Sequence, residues 1–137
     1  MLSFIKKYRE LEYLAYHDIL TDTFNRNWLI KNINSIKCLY VYFIDIDNLH
    51  KINNNGGHIA GDELIKKVAN KLKVNCNIVV RYAGDEFIVF TNDINSVKSD
   101  KLYSLGFANI STSVDAAIQK ADLEMIRRKK HKKLTKF

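Results

Sequence analysis

Four carboxylates stand where apolar stretches of this sequence stop. Asp45 and Asp47 close the run "CLYVYFIDID" (38–47), and Asp85 and Glu86 follow Gly84 in "RYAGDEF" (81–87), between "NIVV" and "FIVF". Side chains alternate along a strand, so Asp45 and Asp47 point to one side and Ile46 to the other. An acid at the end of so apolar a run is costly unless it is solvated, paired or bound to a cation. With the strand at 78–82 beside 39–45, the hairpin tip brings Asp85, and Glu86 with it, to the end of the first strand. Carboxylates gathered there suit a hard cation such as Mg²⁺ or Mn²⁺, which takes one or two of them plus substrate phosphates. That is the chemistry of phosphoryl or nucleotidyl transfer. A merely solvated turn is the competing reading of the hairpin pair.

Glycine is scarce, with five in 137 residues, against roughly nine or ten at average usage. Gly56, Gly57, Gly61 and Gly84 fall in two short stretches beside acids, where backbone freedom or close ligand approach is the expected reason. The formal net charge is +7, and much of it lies in "RRKKHKKLTK" (127–136). Such a block suits a phosphate-bearing partner or, equally, a solvated helix end favoured by the helix dipole.

The elements that must position these groups follow from periodicity. Phe4, Tyr8, Leu11 and Ala15 predict a short amphipathic helix over 3–16. Asp22 and Thr23 read as turn or cap residues before a second helix carrying Trp28, Leu29 and Ile33. The run 38–47 reads as a central strand buried on both faces. "NLHKINNNGG" (48–57) reads as a polar loop, and Leu64, Val68 and Leu72 mark an amphipathic helix. A hairpin over 77–91, a short polar connection over 92–101, a strand over 102–110 and a final helix complete the chain. That helix buries Val114, Ala117, Ile118, Ala121 and Met125, with Ser111 or Thr112 as its cap. The order is that of a ferredoxin-like or palm-type split βαβ unit in the α+β class, with helices against one face of a mixed sheet. We read residues 1–16 as an N-terminal helix and 17–137 as one catalytic domain.

The residues also match a known pattern. "RYAGDEF" resembles the signature of GGDEF-domain diguanylate cyclases. "HDILTDTFNR" (17–26) is similar to that family's D-x-L-T-G-L-x-N-R segment, and "FIDIDNLHKINNNGGHIAGDELI" (43–65) to its D-I-D-x-F-K-x-I-N-D-x-x-G-H-x-x-G-D block. "YSLGFA" (103–108) resembles its S-x-G-x-A strand, and "ADLEMIRRKKHKK" (121–133) its A-D-x-A-x-Y-x-A-K-x-x-G-R helix. The resemblance implies a mixed sheet flanked by helices and a synthase of cyclic di-GMP working as two facing copies. It implies Asp45, the Ile46 carbonyl, Asp85 and Glu86 around magnesium or manganese, with Asp45, Asp85 and Glu86 as the catalytic acids. Asn53 and Asp62 fall where the family reads guanine. His50, Gly84, Lys129 and Lys133 fall at its substrate-binding positions, the lysines on the triphosphate.

The departures are specific. Ala83 replaces a signature glycine, His50 stands at a phosphate-contacting lysine, and Asn54 replaces an aspartate. Asp22 and Thr23 replace Gly-Leu, and "VNCN" (74–77) replaces the R-x-x-D feedback motif, so product inhibition by that route is not expected. The 92–101 connection replaces a helix and further sheet, giving a reduced version of the fold.

An acceptor-only carboxylate at Asp62 suits the N1–H and N2–H₂ donors of guanine, which puts GTP ahead of ATP. An acid in a first helical turn is also favoured with no ligand. The short length resembles, alternatively, the miniature CRISPR-type polymerase (mCpol), which implies a cyclic adenylate made from ATP in anti-phage defence. A third reading is a degenerate nucleotide-binding or interaction module. Nucleic-acid binding through the basic run ranks low, for want of interleaved aromatics. No apolar run approaches the length of a membrane span, no signal peptide is read, and Cys38 and Cys76 read as reduced thiols of a cytoplasmic protein.

Overall fold

The run at 38–47 forms a central strand, Tyr40–Ile46, in the computed structural model, which describes residues 1–135. Lys136, the last cation of the basic run, and Phe137 lie outside the described residues. In chain order the elements are α1 (Leu2–Tyr16), β1 (His17–Asp18), β2 (Thr23–Asn25), α2 (Arg26–Asn32), β3 (Tyr40–Ile46) and α3 (Leu49–Asn75). They continue as β4 (Ile78–Ala83), β5 (Glu86–Thr91), β6 (Tyr103–Asn109) and α4 (Val114–Leu134). The six strands form one sheet in the order β1-β2-β4-β5-β3-β6.

The split βαβ unit is present, and one expected pairing changes. It is β5, not the 78–82 strand, that lies beside β3, with Asp45 opposite Glu86 in an antiparallel ladder. β4 pairs with the far edge of β5, and β6 runs antiparallel along the other edge of β3. The α3 crossover joins the parallel strands β3 and β4 with room for one strand between them, and β5 fills it by turning straight back from β4.

Alternation along β3 divides the core in two. Tyr42, Ile44 and Ile46 pack with Phe87, Val89 and the α3 residues Ile65, Val68 and Leu72. Val41 and Phe43 pack with Ile88, Phe90, the α2 residue Leu29 and the α4 residues Ala117, Ile118, Ala121 and Met125. Helices therefore cover both faces, rather than one, because β3 and β5 are apolar on both sides. Cys38 and Cys76 are free and belong to opposite cores.

Local chemistry moved three boundaries. α2 begins after Asn25, whose side chain accepts from the Trp28 amide at 3.0 Å, while Thr23 enters β2 and Asp22 takes a left-handed φ of 52°. Ser113, rather than Ser111 or Thr112, caps α4 through the Ala116 amide at 3.1 Å. The segment read as a polar loop is helical from Leu49, and Gly57, at φ 77° and ψ 178°, kinks it from the rest of α3. That backbone state is essentially reserved for glycine. α1 forms as expected but buries none of its residues.

Gly106 is where β6 meets α4. A Cβ there would fall 1.9 Å from the Ala121 carbonyl oxygen and 2.3 Å from the Met125 amide nitrogen. Helix backbone cannot yield as a flexible side chain can, so Gly106→Ala is expected to cost about 3 kcal/mol. Thermal denaturation reads this as a clear fall in Tm.

Candidate active site

The site forms at the C-terminal end of β3. Asp45 points towards α4, on the same side as Val41 and Phe43, and Lys129 Nζ donates to its Oδ2 at 2.7 Å. The other oxygen, Oδ1, is buried without a hydrogen-bond partner. The hairpin turn is tied to this strand end by the Ile46 amide, which donates to the Asp85 carbonyl at 2.8 Å. Burial pushes the Asp45 carboxyl above its ordinary range; the bond from Lys129 pulls it down, and the neighbouring charge of Asp85 raises it again. Burial likewise raises Glu86, helped by Asp45, Asp85 and Asp122 of α4 and opposed by Lys129. Three acids share one strand junction, and crowding raises two of them, Asp45 and Glu86.

Beside them lies a cavity of about 330 Å³ between the ends of β3 and α4 and the first turn of α3. Asp85, His50, Lys51, Lys129, Lys132 and Lys133 line it, with Ile46 to Leu49. Asn48, at φ 61°, turns the chain into α3, whose first backbone N–H groups and dipole favour an anion at that end. A cavity with cations on one wall, a helix start on another and carboxylates at its edge suits a polyphosphate held with metal. His50 shares a 3.2 Å contact between its Nε2 and Asn54 Nδ2.

The structure gathers some of the expected residues and separates others. Asp45, Ile46, Asp85, Glu86, His50, Lys129 and Lys133 meet around this junction. Gly84 is exposed at the hairpin tip. Asn53 and Asp62 do not line the cavity; they sit on either side of the Gly57 kink. There Gly61 packs so closely that a Cβ would lie 1.7 Å from Asn53 Oδ1, an oxygen that is buried and unpartnered.

Several pairings escaped the sequence reading. Asp47 is buried, accepts from Ser104 Oγ at 2.8 Å and takes Lys132 Nζ at 2.5 Å. Arg81 reaches both Asp18 oxygens at 3.2 Å and donates to the Gly84 carbonyl at 2.9 Å, while Asp18 also caps the Thr21 amide at 3.1 Å. Asp18 lies in "HDILTD" and Arg81 in "RYAGDEF", so unlike charges inside two noted stretches were the available signal. For Lys132 the run of lysines gave none.

A divalent cation fits these residues. The orphaned Asp45 oxygen and the Asp85 carboxylate beside it are hard oxygen donors short of positive charge, and Lys129 partly compensates them. Among the described residues no three His, Cys, Asp or Glu side chains gather as a ready-made metal site. An ion held here would complete its shell with backbone carbonyl, water and phosphate oxygens, as Mg²⁺ usually does.

Comparison with known proteins bears on this geometry. Residues 15–105 match the family described as "Diguanylate cyclase, GGDEF domain". Diguanylate cyclase DgcP of Escherichia coli (strain K12) is 31% identical over 160 aligned residues, covering 90% of this chain and 47% of that protein. Probable diguanylate cyclase DgcT of the same organism is 33% identical, covering 65% of this chain and 22% of that protein. The chain thus spans less than half the length of these curated relatives. The solved coiled coil and GGDEF domain of DgcB from Caulobacter crescentus, in complex with c-di-GMP, superposes with a TM-score of 0.79 at 19% identity. It covers 94% of this chain and 88% of that one, a likeness of fold. The alternative likeness to a miniature CRISPR-type polymerase is not borne out, and the degenerate-module reading finds no support in these matches.

The raised Glu86 has a consequence for stability. Its ionised form is disfavoured in the folded state, so the penalty is absent below the ordinary value of 4.5 and full above the raised one. Glu86→Gln is therefore expected to raise Tm at pH 8, with the advantage shrinking as pH falls towards 4.5. Melting curves across that range check it.

Proposed function

The chain belongs to the GGDEF diguanylate cyclase family, and on that premise we propose that it condenses two molecules of GTP into cyclic di-GMP, releasing two pyrophosphates. The observation that carries the reading is the bond from the Ile46 amide to the Asp85 carbonyl, which sets Asp85 at the β3 end that carries Asp45, beside a cavity walled by lysines and the start of α3. We assign the chemistry to residues 17–137.

Asp45, Asp85, the Ile46 carbonyl and Glu86 would hold magnesium or manganese. That ion would polarise the α-phosphate and favour the ionised 3′-hydroxyl. Lys129 and Lys133 neutralise the triphosphate from α4, while the first α3 amides and His50 face it from the opposite wall. Asn53 and Asp62 read the base, and the acceptor-only Asp62 favours guanine over adenine. One cavity holds one nucleotide, so ring closure requires two copies facing each other, each 3′-hydroxyl attacking the other's α-phosphate. The product would then serve as a second messenger. No helix among the described residues is long and apolar enough to cross a membrane.

The test is incubation of the purified chain with GTP or ATP and Mg²⁺ and separation of the products by HPLC. Cyclic di-GMP from GTP alone is expected, and an adenylate product alone would overturn the base assignment. Asp85→Asn and Asp45→Asn are each expected to lower the rate by about 10³-fold or more, with the circular-dichroism spectrum unchanged. Equal turnover by parent and variants would refute the role of the acid pair.

A further inference from the structure

We infer that Lys129 is an exchangeable counter-ion. In the nucleotide-free protein its ammonium neutralises Asp45, and it moves to the phosphate of the substrate when a divalent cation takes that carboxylate over. The inference rests on the reading of this site as a metal-dependent nucleotide-condensing centre and adds how the site is held before substrate arrives.

Two lysines three residues apart on α4 make the contrast. Lys132 Nζ donates to Asp47 Oδ2 at 2.5 Å, to the Tyr103 carbonyl at 3.0 Å and to the Asp100 carbonyl at 3.3 Å. An ammonium has three protons, so Lys132 is fully engaged with the protein and fixed. Among the described residues Lys129 Nζ has one acceptor, Asp45 Oδ2 at 2.7 Å, which leaves two N–H groups for a ligand. Lys129 lines the cavity and Asp45 does not, so the Lys129 side chain links the carboxylate to the space beside it.

Asp45 cannot be left without a cation. Its side chain is 15% exposed, its Oδ1 has no partner, and Asp85 brings a second negative charge against it. A lysine and a divalent ion cannot both sit on that carboxylate at full strength, because like charges at contact distance repel strongly in a partly dehydrated site. Metal binding therefore frees Lys129, and a freed ammonium at the rim of a polyphosphate cavity has an obvious new partner. A swing of a few ångströms lies within the reach of a four-carbon stem.

Exchange makes the two affinities respond with opposite sign. Removing the Lys129 charge strengthens metal binding to the nucleotide-free protein and weakens nucleotide binding. A residue that only braced the fold would weaken both. The test titrates the full chain at pH 8 with Mn²⁺, followed by the paramagnetic resonance of the free ion. A parallel calorimetric titration uses the α,β-methylene analogue of GTP with Mg²⁺. Lys129→Met is expected to bind Mn²⁺ about tenfold more tightly and the analogue about tenfold more weakly, an ordinary size for coupling between two bound species. Lys129→Gln, which keeps a hydrogen bond, should follow it, and Lys129→Arg should stay near the parent for Mn²⁺.

Unchanged or weaker Mn²⁺ binding in both neutral variants overturns the exchange. If that binding still depends on Asp45→Asn, the synthase reading survives. If Mn²⁺ binds Asp45→Asn as it binds the parent, the metal lies elsewhere and both readings fall. Should the neutral variants not fold, the ε-methylene resonance of Lys129 in the parent decides. It is expected to shift on adding Mg²⁺ without nucleotide, and its constancy at saturating Mg²⁺ overturns the proposal.

Discussion

A carboxylate that closes a seven-residue apolar strand must be neutralised where it stands, and the site is organised around that requirement. Water is largely excluded from Asp45, a second acid is folded against it, and a third lies across the ladder. The neighbouring charges make Asp45 and Glu86 harder to ionise. The protein's own answer is a single ammonium from α4, which satisfies one oxygen and leaves the other bare. Such a centre suits a hard cation, because folding has already stripped much of the water from its carboxylates. Chemistry and stability pull in opposite directions here.

The rest of the architecture fixes how closely the acids approach. The β3–β5 register sets Glu86 opposite Asp45, and one backbone bond from Ile46 to the Asp85 carbonyl fastens the turn to the strand. Arg81 holds the same turn from behind through the Gly84 carbonyl, while Asp18 holds Arg81. A chain of charge-assisted bonds therefore runs from the β1 hairpin to the turn that carries Asp85. Stacked rings of Tyr13 and His17, with centroids 3.9 Å apart, continue it to the last turns of α1. The position of Asp85 depends on residues more than sixty places earlier in the chain.

The legible parts of this arrangement were those written as local pattern. The buried strand, the hairpin and the α4 stripe show as apolar period, and the acids stand out because they interrupt it. What the pattern could not give was partner choice. Alternation says that Asp45 faces one side of the sheet but not which strand lies next to it, and β5 took the place expected for β4. The polar segment 48–57 hid a helix because its turns carry little apolar surface; its structure comes from Asn48 and the Gly57 kink, not from a buried stripe. The partners of Asp47, Arg81 and Asp18 went unread because each is distant in sequence, and a single charge in a list of residues does not name its partner. Asn53 and Asp62, named together from the resemblance, sit on either side of the Gly57 kink and outside the cavity.

The basic run of α4 shows why composition alone misleads about such segments. Three residues along a helix advance about 4.5 Å, and two along a strand about 6.6 Å, so lysines at 129 and 132 can meet acids at 45 and 47 with their long stems absorbing the mismatch. That pairing places one lysine over an acid that is otherwise alone and the other among carbonyls that complete its coordination. Lys133, one residue further, is turned by about a hundred degrees and reaches the cavity with no acid to hold it among the described residues. One short stretch of like charges thus supplies a shared cation, a fixed one and a free one, and the division follows from helical phase against the strand. Shifting α4 by a single residue would exchange these roles, so the snug fit of Gly106 against its backbone matters as much to the site as to the core.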